Sequence, residues 1–391
     1  MKKILICLVV MLGFSACQAD KKQQTEAAVN EEKLTLFIGT YTRKEGHVDG
    51  QGEGVYVYEM DKKTGALSYV STSEQVISPS YLAVHPNNKW VYAVNEYDGE
   101  SMENASVTAM EYDAATQQLN FLTEVPSMGQ YPCYVSIDNS GKFVMAANYV
   151  GGSVVLYPIN EEGLITEVSS YKKHEGSSTH PRQDAPHAHM IVQHPTKGWV
   201  FAVDLGADRI YEYKLDSLSM TLNYVADYPN SPRMSGPRHI AFHPSKEIVY
   251  TLNELTGMVE TLLLTDESHF RRSLQVVSTI ADGDDRDAAS GAIKVHPSGK
   301  FLYVSNRGEV NDIVVFSIAE DGTLATVGRQ STFGKTPRDF EIDPSGTFLL
   351  VANQDSNNVI SFRINQETGM LDDTGIETEI PTPVCIKFMN P

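Results

Sequence analysis

The sequence predicts an all-β protein in which one structural unit is copied around a ring. The first observation is a repeated pattern, seen in residues 237–253: a Pro, an alternating apolar run ending in His-Pro or Asp, a polar turn, and a second apolar run ending in Asn. The second is that β-branched and aromatic runs, such as residues 313–316, fill the intervals between Gly, Asp and Asn turns. The third is that no convincing amphipathic helix follows Lys33. Four short strands in about 50 residues are typical of a β-propeller blade.

The number of copies predicts seven blades. Six copies are complete, and all but one keep a spacing of sixteen residues between the opening Pro or Ser and the closing Asn. They are residues 79–95, 132–148, 186–204 (two residues longer and ending in Asp), 237–253, 290–306 and 337–353. A seventh copy begins at Pro383 and has room for one strand, while residues 34–40 match the second strand that it lacks. We therefore predict a seven-bladed β-propeller whose last blade is closed by strands from both termini, which removes the open sheet edge.

The first 33 residues are predicted to lie outside the propeller. Residues 1–16 combine a positive start, a short apolar run and small residues, as in an export signal peptide, and the run is too short for a permanent transmembrane helix. Cys17 follows as in a bacterial lipobox, whose cysteine becomes lipidated; cleavage by an ordinary signal peptidase and an uncut anchor are the alternatives. Residues 17–33 are polar and predict a flexible tether to a single domain, residues 34–391. The expected location is the periplasm, with a membrane contacted only through the N-terminal lipid.

Composition excludes several partners and chemistries. The formal net charge of −19 argues against nucleic acid or an anionic membrane surface as a partner, because both need a basic surface. Cys133 and Cys385 begin apolar runs, which favours buried free thiols over a disulfide. The sequence contains no Gly-rich phosphate loop, G-x-S-x-G elbow or C-x-x-C motif.

Propeller geometry predicts where functional residues meet. The first strand of each blade lines the central channel, so the residue after each Pro and the residue after each Asn reach the same mouth of that channel. The positions after Pro include Arg238 and Arg338, and the longer copy supplies His187 and His189. The positions after Asn hold Glu96, Tyr149, Glu254, Arg307 and Gln354.

These residues have two possible explanations. For any one of them, an ion pair or a turn hydrogen bond between blades is a sufficient reason. Repeat symmetry alone, however, would fill equivalent positions with equivalent residues, so the varied set indicates a functional pocket. By contrast, the recurrent His-Pro histidines are explained by hydrogen bonds to the turn backbone. His187 and His189 could share a metal, but no carboxylate stands at a ligand spacing from them, so no metal or cofactor is predicted.

Several motifs at these positions resemble those of the lactonase family of seven-bladed propellers, which includes bacterial 6-phosphogluconolactonases and fungal carboxymuconate lactonising enzymes. They are P-H-A-H at 186–189, G-P-R-H at 236–239, N-E-L at 253–255, S-N-R-G at 305–308 and T-P-R-D-F at 336–340. The resemblance spans residues 34–388 and implies that His187, His189, Arg238, Glu254 and Arg307 are the active-site residues. The other polar residues of the mouth are expected to bind the substrate: Arg182, Arg338, Gln354, Glu96 and Tyr149.

Lactone hydrolysis, the activity that the resemblance implies, needs a general base for water and a group that stabilises the oxyanion. Arg238 and Arg307 stay charged near neutral pH, so they suit the oxyanion or an anionic group of the substrate. His187 or His189 is expected to act as the base, with Glu254 orienting the water or protonating the leaving oxygen.

The export signal favours a sugar lactone or sugar-acid lactone over a phosphorylated cytoplasmic intermediate as the substrate. A muconate-type cycloisomerase is an alternative within the enzyme class, and a non-catalytic propeller that binds carbohydrate or protein is an alternative outside it. A binding platform more often exposes aromatic side chains than His, Glu and Arg together, which favours the lactonase.

Overall fold

The computed structural model describes residues 32–73, 76–98, 105–265 and 270–390. Within them the chain forms seven four-stranded antiparallel sheets arranged as the blades of a propeller, as the sequence predicts. The first blades, from the innermost strand outward, are β30 (Pro383–Phe388), β1 (Lys33–Thr40), β4 (Tyr56–Asp61) and β5 (Leu67–Thr72); β6 (Pro79–Val84), β7 (Trp90–Asn95), β8 (Ser106–Asp113) and β9 (Gln118–Pro126); β10 (Pro132–Ile137), β11 (Phe143–Asn148), β12 (Ser153–Pro158) and β13 (Ser170–Lys173).

The other four blades follow in chain order. They are β14 (Ala188–Gln193), β15 (Trp199–Asp204), β16 (Arg209–Asp216) and β17 (Thr221–Pro229); β18 (Pro237–Phe242), β19 (Ile248–Asn253), β20 (Met258–Leu264) and β21 (Phe270–Ser278); β22 (Ile293–Val295), β23 (Phe301–Asn306), β24 (Asp312–Ile318) and β25 (Leu324–Ser331); β26 (Pro337–Ile342), β27 (Phe348–Asn353), β28 (Asn358–Ile364) and β29 (Leu371–Glu379). A two-stranded hairpin, β2 (Lys44–Glu45) and β3 (Val48–Asp49), lies between β1 and β4 in the chain.

The two ends of the domain share one sheet. β1 pairs antiparallel with β30, with Leu36 opposite Phe388 and Thr40 opposite Pro383, and its other edge pairs with β4. The predicted closure by strands from both termini is therefore confirmed, and the ring has no open sheet edge where the chain ends meet.

The second strand is buried along its whole length in five of the seven blades. β7, β11, β19, β23 and β27 are buried at every position, because neighbouring blades pack against both of their faces. Strands buried on both faces are expected to be apolar throughout, and Phe143–Asn148 (F-V-M-A-A-N) follows that rule until its closing Asn.

The His-Pro histidines lie at the turn between the first and second strands, where they join neighbouring blades. His85 accepts a hydrogen bond from the Asn87 N–H at Nδ1 (3.1 Å), and its Nε2 lies 2.8 Å from the Gly141 carbonyl of the next blade. Gly141 has a φ of +70°, and a Cβ there would lie 2.7 Å from the His85 ring. The structural explanation of these histidines is confirmed.

The register places a β-bulge directly after the opening position of five inner strands. A bulged residue has no partner across the ladder, and its side chain is turned out of the regular alternation. The bulged residues are Ser80, Cys133, His189, Arg238 and Arg338. This irregularity is the physical reason why residues after the opening position reach the mouth.

Predictions about the N-terminus concern residues that the structure does not describe. The signal peptide (1–16), Cys17 and nearly all of the tether (17–33) lie outside the described residues. In the described part of the chain, no helix is long and apolar enough to cross a membrane. Cys133 and Cys385 are buried free thiols, as predicted.

Candidate active site

A cavity of about 540 Å³ opens at the mouth where the second strands end. Its wall contains all five polar residues predicted at the positions after Asn, namely Glu96, Tyr149, Glu254, Arg307 and Gln354. The bulged residues Cys133, His189 and Arg338 also line the cavity. The volume is that of a typical small-molecule site.

The backbone fixes the position after the second strand in the same way in six of the seven blades. The N–H of Glu96 donates to the Ser78 carbonyl (3.0 Å), and the N–H of Glu254 donates to the Gly236 carbonyl (2.8 Å). In each case the acceptor is the residue just before the inner strand. This bond ties the end of the second strand to the start of the first, so both sets of side chains emerge at one mouth.

Glu254 is surrounded by three guanidinium groups. Its Oε1 accepts hydrogen bonds from Arg182 Nη1 at 2.7 Å and lies 3.1 Å from Arg307 Nη2, and its Oε2 lies 3.0 Å from Arg238 Nε. Burial alone would raise the pKa of Glu254, but the charges of Arg307, Arg182 and Arg238 outweigh it and hold that pKa well below its usual range. Glu254 therefore stays ionised near neutral pH. The expectation that it protonates the leaving oxygen is corrected by this arrangement.

Arg238 lies beneath the cavity rather than in its wall. The residue is 2% exposed and donates through Nη1 to the Gly291 carbonyl of the next blade. Burial and the charge of Arg307 lower its pKa to about 10, so it remains a cation at neutral pH. Its place below Glu254 makes it a support for that carboxylate, and contact with a substrate falls to the arginines above it.

Arg307 and Arg182 reach the cavity from different scaffolds. Arg307 Nε donates to the Ala289 carbonyl at 2.6 Å, which fixes the guanidinium against the backbone. Arg182 comes from the long loop before β14, and its Nη2 donates to the Tyr149 hydroxyl at 3.0 Å. The Arg182 side chain is 46% exposed, against 13% for Arg307. Arg182 is therefore placed at the rim and Arg307 in the wall.

A second cluster of charged side chains lies on another part of the cavity wall. Arg338 Nη2 donates to both carboxylate oxygens of Glu96, at 3.2 and 3.1 Å, and its guanidinium stacks 5.2 Å from the Tyr41 ring. His47, at the turn of the β2–β3 hairpin, has its Nε2 3.8 Å from Glu96 Oε1 and 3.3 Å from the Tyr41 hydroxyl. Gln354 is nearby in the wall and donates to Asp355 Oδ1 at 2.9 Å.

The two histidines of P-H-A-H have different surroundings. Ala188 pairs with Asp204 as Pro79 pairs with Asn95, so the two extra residues of this copy precede the strand and His189 is the bulged residue. His189 lines the cavity, whereas His187 is outside its wall and stacks on Tyr149, with ring centres 4.6 Å apart. Of the two histidines predicted at the mouth, only His189 lines the cavity. His187 can support Tyr149, but it does not face the cavity.

His189 is buried among rings and cations. Its ring makes edge contacts with Tyr149 and His239, with centres 5.5 and 5.3 Å apart. Burial and the charge of Arg238 lower the pKa of His189 well below its ordinary value, so the ring is neutral near pH 7.

The cavity has a local excess of positive charge in a strongly acidic chain. Four guanidiniums lie in or directly below it, from Arg182, Arg238, Arg307 and Arg338, against three carboxylates, from Glu96, Glu254 and Asp355. An anionic group on a bound molecule is favoured by this balance even though the whole chain has a formal net charge of −19.

Sequence reasoning missed two aromatic side chains and one histidine of this site. His47, Tyr41 and Tyr131 lie together, with ring centres of Tyr41 and Tyr131 at 5.4 and 5.7 Å from that of His47. Among the described residues, no other blade has a hairpin between its second and third strands, so arguments from the repeat do not detect His47. A signal was available, since an insertion placed directly after a strand of the closing blade must emerge at the functional mouth. Among the described residues, no three His, Cys, Asp or Glu side chains are grouped as metal ligands.

Comparisons with known proteins agree with this architecture. Residues 35–388 match the family described as "Lactonase, 7-bladed beta-propeller". The 6-phosphogluconolactonase of Bacillus subtilis is 36% identical over 359 residues, which cover 92% of this chain and 99% of that protein. The 6-phosphogluconolactonase of Formosa agariphila is 34% identical, covering 86% of this chain and 94% of that protein. The solved structure of the periplasmic gluconolactonase of Pseudomonas aeruginosa matches with a TM-score of 0.84 and 30% identity, covering 92% of this chain and 99% of that one.

Proposed function

The chain belongs to the family of seven-bladed β-propeller lactonases, and from this membership we propose that it hydrolyses the cyclic ester of a sugar lactone. Relatives that align over most of both chains are named 6-phosphogluconolactonase, and a solved relative is named gluconolactonase. The observation that carries the proposal is the cluster of Arg182, Arg238 and Arg307 around ionised Glu254 in a cavity of small-molecule size.

The cluster suits the charge changes of lactone opening. Attack of water on the carbonyl places negative charge on the carbonyl oxygen, and Arg307 can stabilise it because its own position is fixed by the Ala289 carbonyl. Glu254 holds the guanidiniums in place and keeps them from repelling one another. The proton of the attacking water goes to a histidine of the cavity wall, which is His189 or His47.

We propose that the substrate carries an anionic group in addition to the ester. The excess of guanidinium groups favours a carboxylate or a phosphate, which arginine binds with paired hydrogen bonds. The export signal favours a sugar-acid lactone, since a phosphorylated intermediate is confined to the cytoplasm. Placement in the periplasm as a lipoprotein anchored through Cys17 is part of this proposal. The name of the Pseudomonas aeruginosa relative supports the periplasmic placement, and the sequence around Cys17 supports the anchor.

The test is a panel of lactones offered to the purified domain in a weakly buffered solution with a pH indicator, because ring opening releases a proton. The panel contains a neutral gluconolactone, its 6-phosphate and a sugar-acid lactone, together with a muconate to detect the cycloisomerase alternative. We expect the highest kcat/KM on an anionic lactone, and a lower kcat/KM on that lactone in the Arg307→Ala variant. Equal kcat/KM on all lactones would contradict the proposed anionic group of the substrate. Absent turnover of every lactone, with tight binding of a carbohydrate instead, would contradict the lactonase and favour the non-catalytic propeller.

A further inference from the structure

We infer that His47 is the general base of this reaction and that the carboxylate of Glu96 stabilises its protonated form. The inference rests on the proposed lactonase function and assigns a catalytic role to a hairpin that stands outside the repeat. It comes from three features of the structure: the contacts of the His47 ring, the surroundings of His189, and the different positions of the two histidines on one cavity wall.

The His47 ring is held at a defined place beside a carboxylate. Its Nε2 is 3.3 Å from the Tyr41 hydroxyl and 3.8 Å from Glu96 Oε1, and the ring makes T-shaped contacts with the rings of Tyr41 and Tyr131. Glu96 is itself fixed by Arg338 and by the backbone bond to Ser78. The Tyr41 hydroxyl orients the ring at Nε2, beside the Glu96 carboxylate, which leaves Nδ1 as the nitrogen that accepts a proton.

His189 has much less capacity to carry a proton. It is 5% exposed, and Arg238 lies on the adjacent inner strand, so an imidazolium there would be buried beside a guanidinium. The His47 side chain is 41% exposed, and an imidazolium there would face Glu96. A base must hold the proton between water attack and departure of the ring oxygen, and this requirement separates the two histidines.

The charged and titratable groups around His47 come from each element that packs on it. The groups are Glu96 directly after β7, Arg338 as the second residue of β26, Glu45 in the hairpin, Tyr41 directly after β1 and Tyr131 directly before β10. Burial lowers the pKa of His47, Glu96 acts to raise it, Arg338 lowers it and Glu45 raises it. The net lowering keeps the ring neutral at pH 7 and ready to accept a proton.

The proposed step balances in atoms and charge. The oxygen of a water molecule forms a bond with the lactone carbonyl carbon while one of its protons passes to His47. The carbonyl oxygen becomes an oxyanion beside Arg307. The oxyanion then collapses, the ring carbon–oxygen bond breaks with its electron pair going to the ring oxygen, and His47 returns the proton to that oxygen. The new carboxylic acid ionises and releases the proton that the assay detects.

The test compares His47→Gln with Lys44→Gln, which changes an exposed side chain of the same hairpin, and with His189→Gln. We expect His47→Gln to lower kcat about 10²–10³-fold, with KM and melting temperature nearly unchanged, while Lys44→Gln stays at the wild-type value. The fall of kcat/KM at acidic pH should disappear in His47→Gln. In Glu96→Gln that fall should move to lower pH, because removal of the carboxylate lowers the pKa of His47. Added imidazole should restore part of the activity of His47→Ala.

Different results overturn different parts of the argument. A wild-type protein that opens no lactone removes the proposed function and this inference with it. An active wild type whose His47→Gln variant keeps its turnover and its acidic limb overturns the inference alone, and a selective loss in His189→Gln would then make His189 the base. A loss in His47→Ala that imidazole does not restore, with an unchanged pH profile in the residual activity, shows that the hairpin acts only as a cover and also overturns the inference.

Discussion

Replacing Glu254 with Gln should lower the stability of the domain as well as its turnover. Glu254 is 4% exposed and is the common partner of three guanidiniums. The neutral amide leaves their charges uncompensated, and Arg238, which is 2% exposed, cannot be rehydrated where it lies. From the sequence alone we would expect Glu254→Gln to reduce turnover by about 10²–10³-fold with little change in melting temperature. The lower turnover remains our prediction, whereas the buried contacts of Glu254 lead us to expect a lower melting temperature as well.

The size of the effect follows from the buried position of the pair. Removing one partner of a buried ion pair typically costs about 3–5 kcal/mol in the free energy of unfolding. For a domain of about 360 residues, each kcal/mol corresponds to roughly 1.3 °C in melting temperature, so the expected fall is about 4–7 °C.

The pH dependence of stability provides a sharper test than the fall in melting temperature at one pH. The pKa of Glu254 is depressed in the folded state, so its contribution is complete above the unfolded value near 4.5 and is lost as pH falls towards the folded pKa. Between pH 4.5 and pH 3 the free energy of unfolding of the wild type should fall by about 2 kcal/mol relative to that of Glu254→Gln, since each pH unit in this range changes it by about 1.4 kcal/mol. Denaturant unfolding of both proteins at pH 7, 4.5 and 3 measures the difference between their free energies of unfolding. A difference that is small at pH 7, or that does not decrease at acidic pH, would refute the reasoning.

Three further predictions concern the closure, the anchor and the oxyanion. Deleting residues 383–391 removes β30, the inner strand of the closing blade, and should lower the melting temperature strongly or abolish folding; a truncated protein that melts like the full chain would contradict the closure. Cys17→Ser should move the protein from the membrane fraction to the soluble fraction, and a wild type found only in the soluble periplasm would rule out the lipid. Arg307→Ala should lower kcat about 10²–10³-fold, while the control Arg286→Ala, an exposed arginine paired with Asp284, should not; equal activities would remove Arg307 from the oxyanion role.

The fold could be predicted because its signals are local and repeated. A typical copy contains a turn, two apolar runs and a closing Asn sixteen residues after its first residue, as in residues 337–353. The half copies at the two ends were enough to predict that β1 and β30 share a sheet, since an unpaired strand at either end would expose a sheet edge. The same spacing identified Glu96, Glu254 and Arg307 as residues of one mouth.

The sequence could not decide how the extra residues of one copy are accommodated. The P-H-A-H motif has two histidines, two residues apart, and the motif alone does not show which of them lines the cavity. Pairing of Ala188 with Asp204 assigns the bulge to His189 and leaves His187 before the strand. Hydrogen-bond register is a property of two strands together, so one strand read alone does not contain it.

The sequence by itself determined the ring, its closure and the polar mouth, because these follow from periodicity, turn residues and the equivalence of repeated positions. Only the tertiary structure showed that Arg182, Arg238 and Arg307, from three separate segments, surround the single carboxylate of Glu254 and keep it ionised. It alone showed that His47, on the β2–β3 hairpin, lies 3.8 Å from Glu96. The reason is physical: a charge acts on whatever lies within a few ångströms of it, and distance along the chain does not reveal that distance in space.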